Sequence, residues 1–408
     1  MIALPLSSLE PLGTLQSAGW TDEVTGVQVD SRRIEEGDLF VAVDGGEAFT
    51  KHAFARGAAA VLVPSDAHAT LAAVAGAVRD RTEAQIVAIT GSMGKTTTKD
   101  ILAAIAFPQR RTVAAERSYN NEIGVPLTLC RIEPDTELVV LELAMRGFGQ
   151  IAELCAFARP HVGVVTMIAP VHLEKVGTLE GVIRAKSELI AALPAGGTAV
   201  VPADFEVTRD DLKVVRVGED VTLESFEPPL LRTSAGEVEV SFAARHLAQN
   251  ALTAIATAGA IGLDIPRRID VAFADWRNQE LELPGGGTLV NDAWNANPIS
   301  MRAALEHLAA LAAGRRRVAV LGEMAELGDY SAAAHDEVAR AVQEVGVDLL
   351  VSVGPQARAY GGRTVADAAE AIAVLREELQ PGDCVLVKGA RALALERVAE
   401  ALTGVPAA

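Results

Sequence analysis

From Gln85 onward, continuous apolar runs alternate with stretches whose apolar residues recur every three or four positions. The continuous runs predict strands buried on both faces of a parallel sheet. The 3.6-residue period predicts amphipathic helices covering them. The runs are QIVAIT (85–90), ELVVLELA (137–144) and HVGVVTMIA (161–169), and the helices are TTTKDILAAIAF (96–107) and TLEGVIRAKSELIAAL (178–193). A weaker β-rich stretch at 198–242 leads into a helix, ARHLAQNALTAIATAGAIG (244–262). The pattern then restarts. LELPGGGTLVNDAW (281–294) places a glycine-rich turn between two strands, and the helices SMRAALEHLAALAA, one from Ser331, and VADAAEAIAVLREEL alternate with the strands RRVAVLGE, VDLLVSV and DCVLVKG. Ahead of Gln85, GVQVDSRRIEEGDLFVAV and AFARGAAAVLV predict short strands and a helix, followed by an Ala-rich helix to Val78 and a polar linker at 79–83. The expected fold is α/β with three domains. A small N-terminal α/β domain (1–83) and a C-terminal Rossmann-like α/β domain (278–408) flank a central P-loop domain with a parallel sheet (84–277).

Composition narrows the functions available. A length of 408 residues exceeds one average core, and half the residues are apolar, as a globular chain requires. The net charge of −18 opposes binding to a phosphate backbone, so no nucleic-acid partner is expected. No apolar run approaches the roughly 18 residues of a membrane span. The first residues lack a signal-peptide pattern, and Cys130, Cys155 and Cys384 are too scattered for a disulfide framework or a zinc site. A cytoplasmic setting is expected. Only seven of the 36 basic residues are lysines, so a retained lysine suggests that a compact ammonium or a reactive amine is needed.

The sharpest local signal is AITGSMGKTTTKD (88–100), where a predicted strand runs through Thr90, Gly91, Ser92, Met93 and Gly94 into a helix at Lys95, Thr96 and Thr97. The usual phosphate loop has a glycine five positions before Gly94, where this chain has Ile89, so the loop is shortened. Backbone N–H groups and a helix N-terminus aimed at one point form an anion site. Lys95 can reach the β- and γ-phosphates of ATP, and the Thr96 hydroxyl can ligate Mg²⁺. Glu142 ends a buried strand, where a carboxylate suits a metal ligand, a water-polarising base or an ordinary solvated strand end. The pair Asn120 and Asn121 fits turn chemistry and donation to an anionic substrate equally well. Asp292, Asn295 and Asn297 cluster before Pro298 with the same two readings.

Taken in order, TGSMGKTT, YNNEIGVPLTL, LELAMRGFGQI, HLEKVGTLEGVIRAKSELI, NDAWNANPISM, VLGEMAELG with His335 downstream, and VLVKGAR resemble the Mur ligase family along the whole chain. The segment NANPISM is most similar to the member that adds D-alanyl-D-alanine to UDP-N-acetylmuramoyl-tripeptide. The resemblance implies an ATP-dependent peptide ligase of cytoplasmic peptidoglycan synthesis, acting in cell-wall growth and division, as a monomer with no membrane insertion. It implies two Mg²⁺ ions. Lys95, Thr96 and Glu142 serve the first, and His172 with a CO2-derived carbamate on Lys186 completes the second. It places Asn250 at the adenine, Arg277, Asp292 and Asn295 at the nucleotide, Ser31 and Arg32 in a uridine-nucleotide domain, and Asn297, His335, Lys388 and Arg391 near substrate. Thr50-Lys51, Leu247, Trp294, Glu323 and Phe148 depart from the family pattern, and Arg277 is the nearest residue to its Gly-Arg pair. The alternatives are a sibling or folylpolyglutamate-type ligase, or a P-loop ATP switch that makes no bond.

Overall fold

The computed structural model describes residues 1–170 and 173–405, so His172 lies outside the described residues. The chain forms two compact units. One comprises residues 1–168, 183–241 and 249–270, and the other 169–182, 242–248 and the chain from 271 on.

The first unit carries a six-stranded parallel sheet in the order Lys213–Val217, Thr198–Pro202, Val162–Val165, Gln85–Thr90, Leu138–Glu142, Thr112–Ala114. Every residue of Leu138–Glu142 is buried, as is every residue of Gln85–Thr90 after Gln85. With no face open to water, these strands need no polar alternation, which explains the continuous runs. Parallel pairing sets Ile89 beside Glu142 and Val165 beside Thr90. The ends of all three strands therefore meet at the carboxyl edge of the sheet, where ligands bind in such folds.

The β-rich stretch at 198–242 is divided. Its first two strands extend the central sheet, while Leu223–Glu227, Leu230–Thr233 and Gly236–Val240 join Arg268–Ile269 in a separate four-stranded sheet. The N-terminal segment forms its own four-stranded sheet, in the order Gly13–Ser17, Ala60–Pro64, Asp38–Val41, Gly26–Gln28. The expected polar linker at 79–83 begins inside a helix instead, because Arg79 ends the helix Ala67–Arg79 and is buried. Its guanidinium donates to the carbonyls of Ala158 (3.1 Å) and Thr82 (3.0 Å), so five N–H donors let a charged side chain pack where a shorter polar one would be orphaned.

The second unit is built on another six-stranded sheet, in the order Gln279–Leu283, Gly287–Asp292, Cys384–Lys388, Arg317–Gly322, Leu349–Val353, Arg363–Val365, parallel except for its first pair. Ala319 and Leu321 pack into one apolar layer with Met301, Leu305 and Val338. Val318 and Val320 pack into the other with Val374, Leu375 and Val398. Helices on both faces thus account for the apolar runs here as well.

Candidate active site

The phosphate loop is shaped by two glycines. Gly91 (φ +147°) and Gly94 (φ +77°) adopt backbone that side chains disfavour. A Cβ at Gly91 would collide with the Thr166 hydroxyl, and one at Gly94 with the Asn250 amide. The helix Lys95–Ala106 starts there, with Lys95 Nζ donating back to the Gly91 carbonyl at 2.8 Å. Thr90 Oγ1 donates to Leu143 O (2.9 Å) and Ser92 N to Met167 O (2.7 Å), so the neighbouring strand ends brace the loop from below. Asn250 packs on the loop through its amide, 3.4 Å from both Gly94 O and Thr98 Oγ1. Thr166, whose hydroxyl donates to Met93 O, is a loop-bracing residue that sequence pattern did not single out. A Thr at the end of the third strand was its only signal.

At the head of the helix, Thr96 Oγ1 donates to Glu142 Oε2 at 2.7 Å, and Asn120 Nδ2 donates to Glu142 Oε1 at 2.7 Å. Ser118 Oγ lies 3.4 Å from the Thr96 hydroxyl. Glu142 is 1% exposed. A carboxylate this buried is tolerated because hydrogen bonds hold both its oxygens. It is therefore no solvated strand end. The Asn pair separates. Asn120 faces the carboxylate, while Asn121 accepts from Gly124 N (2.9 Å), at the first residue of the short helix Gly124–Leu129. A hydroxyl and a carboxylate are hard oxygen donors, which suits Mg²⁺ held partly by protein and partly by nucleotide phosphates. Among the described residues there is no cluster of three or more His, Cys, Asp or Glu side chains that could cage a metal unaided.

Lys186, on the helix Leu179–Ala191, is 1% exposed. Burial pushes its pKa well below the usual lysine value. Lys95 adds to the fall, against smaller opposing effects from Glu188 and Glu142. A neutral amine is nucleophilic, as reaction with CO2 requires.

In the N-terminal sheet region, Ser31 is buried with its Oγ 2.9 Å from His52 Nδ1. His52 is thereby paired with Ser31, a contact that sequence pattern did not single out. Arg32 points outward and pairs with Asp30 at 2.7 Å, holding the Asp30 carboxyl down to about 2.

In the second unit, Lys388 Nζ lies 2.5 Å from Asp292 Oδ2 and donates to Asn295 O at 2.9 Å. Asn295 turns its side-chain oxygen onto Ala296 N (2.8 Å). Trp276 holds φ +60°, a conformation that favours glycine, and its indole stacks on Trp294 at 5.8 Å. Arg277 lies over Trp294 at 5.3 Å. Arg391 lies over Trp276 at 4.4 Å and pairs with the buried Glu396 at 2.8 Å.

Two expected substrate residues also serve the fold. Asn297 is the N-cap of the helix Pro298–Ala312, accepting from Ser300 N in a capping box. His335 is 2% exposed, accepts from Met324 N at Nε2 (3.1 Å) and donates from Nδ1 to Ser331 O (2.7 Å). With both ring nitrogens used, it can affect a substrate only through the segment at Met324. Leu247, the departure next to His246, is buried core.

The description "Mur ligase middle domain" matches residues 89–258, and "Mur ligase, glutamate ligase domain" matches residues 276–391. A relative from Mycobacterium bovis, named UDP-N-acetylmuramoyl-tripeptide–D-alanyl-D-alanine ligase, is 36% identical over 93% of this chain and 92% of its own. The crystal structure of MurF from Acinetobacter baumannii superposes with a TM-score of 0.83 at 27% identity, over 99% of both chains. MurF from Thermotoga maritima in complex with ADP gives 0.80 at 26% identity, over 93% of this chain and 97% of its own. With a shortened phosphate loop set against a buried carboxylate, and relatives matching over nearly its full length, this chain belongs to the Mur ligase family.

Proposed function

We infer that the protein is the ATP-dependent ligase that joins D-alanyl-D-alanine to UDP-N-acetylmuramoyl-tripeptide in peptidoglycan precursor synthesis. The observation that carries this reading is the pairing of Thr96 with Glu142 at the head of the loop helix, in a chain 36% identical to a relative of that name. A carboxylate is a poor acyl donor because its leaving group would be oxide. Transfer of the γ-phosphoryl group of ATP to the tripeptide carboxylate yields an acyl phosphate and ADP. The dipeptide amine then attacks the acyl carbon and loses a proton, and the tetrahedral intermediate expels phosphate to leave an amide.

The chain's own groups suit those steps. The loop amides and Lys95 bind the phosphates, and Lys95 exchanges its contact with Gly91 O for a phosphate oxygen. Thr96 and Glu142 would hold a first Mg²⁺, which when bound offsets negative charge on the transferring phosphoryl group. Lys186, as a carbamate formed by N–C bond formation with CO2 and loss of a proton, would hold a second together with His172. Asn250, Arg277, Asp292 and Asn295 are assigned to the nucleotide, Ser31 and Arg32 to the uridine nucleotide, and Lys388 and Arg391 to the incoming dipeptide. In this reading the N-terminal segment (1–83), the central segment (84–277) and the C-terminal segment (278–408) serve the sugar nucleotide, ATP and the dipeptide. The enzyme acts as a monomer in the cytoplasm, where ATP and nucleotide-linked precursors reside. Among the described residues no helix is long and apolar enough to cross a membrane.

The test is phosphate release from ATP with UDP-N-acetylmuramoyl-tripeptide, with and without D-alanyl-D-alanine, the product mass being read in parallel. Release that needs both, with a pentapeptide product, is the expected result. Release with a shorter precursor and a single amino acid would indicate a sibling ligase, and release needing neither would indicate an ATP switch. Lys95→Ala should abolish ATP turnover while leaving uridine-nucleotide binding intact.

A further inference from the structure

Lys99 lies one turn beyond Lys95 on the loop helix and is 2% exposed. Its ammonium donates to Ala115 O (2.7 Å) and Arg117 O (3.0 Å) and pairs with Asp100 Oδ1 at 2.7 Å. Those three acceptors match the three N–H donors of an ammonium. One of those carbonyls precedes, and the other lies within, a tight turn in which Arg117 takes φ +48°, a conformation that persists only where the surroundings hold it.

The residues just after that turn are the ones that face the metal carboxylate. Ser118 Oγ is 3.4 Å from Thr96 Oγ1, and Asn120 Nδ2 is 2.7 Å from Glu142 Oε1, with Asn120 O accepting from Ala144 N at 2.8 Å. Asn120 occupies one carboxylate oxygen and so leaves Oε2 turned to the Thr96 hydroxyl. We propose that Lys99 is a positioning residue of the Thr96–Glu142 site. It ties the 115–120 segment to the same helix that bears Thr96, and so fixes the rotation of the Glu142 carboxylate. The proposal rests on the reading of that pair as a Mg²⁺–nucleotide site. The same segment is gripped from its other side by Arg33, which donates to Tyr119 Oη (2.9 Å) and Glu116 Oε2 (3.2 Å). Arg33 is half exposed, so water competes for both contacts and its grip is the weaker.

The experiment is a Mg²⁺ titration of ADP binding by calorimetry on the full chain. It uses wild type, Lys99→Met, Lys99→Gln, Asn120→Ala, the double variant Lys99→Met with Asn120→Ala, and Arg33→Ala. Lys99→Met should raise the Mg²⁺ concentration needed for half-maximal ADP binding by about tenfold or more, as loss of a group that orients a metal ligand does. Uridine-nucleotide affinity should not change. Lys99→Gln, which keeps a donor, should fall between Met and wild type, and it carries the test should the Met variant fail to fold. The double variant should match Asn120→Ala alone, because both act through one carboxylate. Arg33→Ala should leave the Mg²⁺ requirement unchanged. A wild-type Mg²⁺ requirement in a folded Lys99→Met or Lys99→Gln, or effects of Lys99 and Asn120 that multiply, would overturn the proposal. Failure of the wild-type chain to bind ADP would instead remove the nucleotide-site reading beneath it.

Discussion

Lys186 in the first unit and Lys388 in the second are both buried, at 1% and 3% exposure, yet their surroundings differ in kind. Lys388 meets a carboxylate at 2.5 Å and a backbone carbonyl at 2.9 Å, which together offset the loss of water. Lys186 is pressed toward its neutral form by burial and then by a second lysine, Lys95. Equal burial therefore gives an ion pair in one unit and an amine fit for chemistry in the other.

Replacing each lysine sharpens that contrast. The largest expected effect is on activity. Lys186→Ala should lose about a thousandfold in ligation, the scale of a lost transition-state charge contact. Excess bicarbonate should not restore it, whereas short-chain carboxylic acids should restore part by filling the carbamate position. Full activity in that variant would end the carbamate reading and make the two lysines equivalent. Lys388→Met should weaken dipeptide binding and also cost stability, about 3 kcal/mol by urea unfolding, because Asp292 is left partly buried without its partner. Adding Asp292→Asn should recover most of that loss. If it does not, the pair is no self-contained clamp.

A smaller effect tests the field around the same clamp. His246 lies near Asp292, His307 and Lys388, and its pKa is lowered from 6.5 to about 4, chiefly by burial. His307 and Lys388 act in the same direction and Asp292 opposes them. Among the described residues its buried Nδ1 has no hydrogen-bond partner. Because the folded value lies below the unfolded one, the unfolded chain takes the proton first. Stability should therefore fall as pH drops from about 6.5 to about 4 and level off below that. His246→Phe should flatten that window in urea unfolding measured across pH. The smallest effect is expected at Trp276→Gly. Relief of its left-handed backbone strain and loss of its stack on Trp294 are each about 1 kcal/mol and opposite in sign, so thermal unfolding should shift by less than either.

Sequence pattern located the central strands, the loop helix and the end of the strand at Glu142, because burial on both faces and helical period leave direct marks on composition. It could not separate Asn120 from Asn121. Adjacent residues of one type have the same local chemistry, and only the packed chain sends one amide to Glu142 and the other to the backbone N–H of Gly124. Motif likeness drew attention to Asn297 and His335, but only the packed chain shows that one also caps a helix and the other also binds the backbone at Met324. Charge at Arg79 predicts a linker because charge usually marks a surface, and a guanidinium with carbonyl partners is the exception.

The sequence by itself determined the shortened loop, the alternation that makes parallel sheets, and the family to which those motifs belong. Each is written within a few consecutive residues, where steric and hydrophobic preferences act locally. Only the tertiary structure decided which oxygens and nitrogens meet. Thr96 reaches Glu142 across 46 positions, and Lys388 reaches Asp292 across 96. Lys99 and Lys186 acquire their roles only when distant segments close over them. Hydrogen bonds and desolvation depend on distances of a few ångströms, and those distances are set by packing between elements, which no local pattern records.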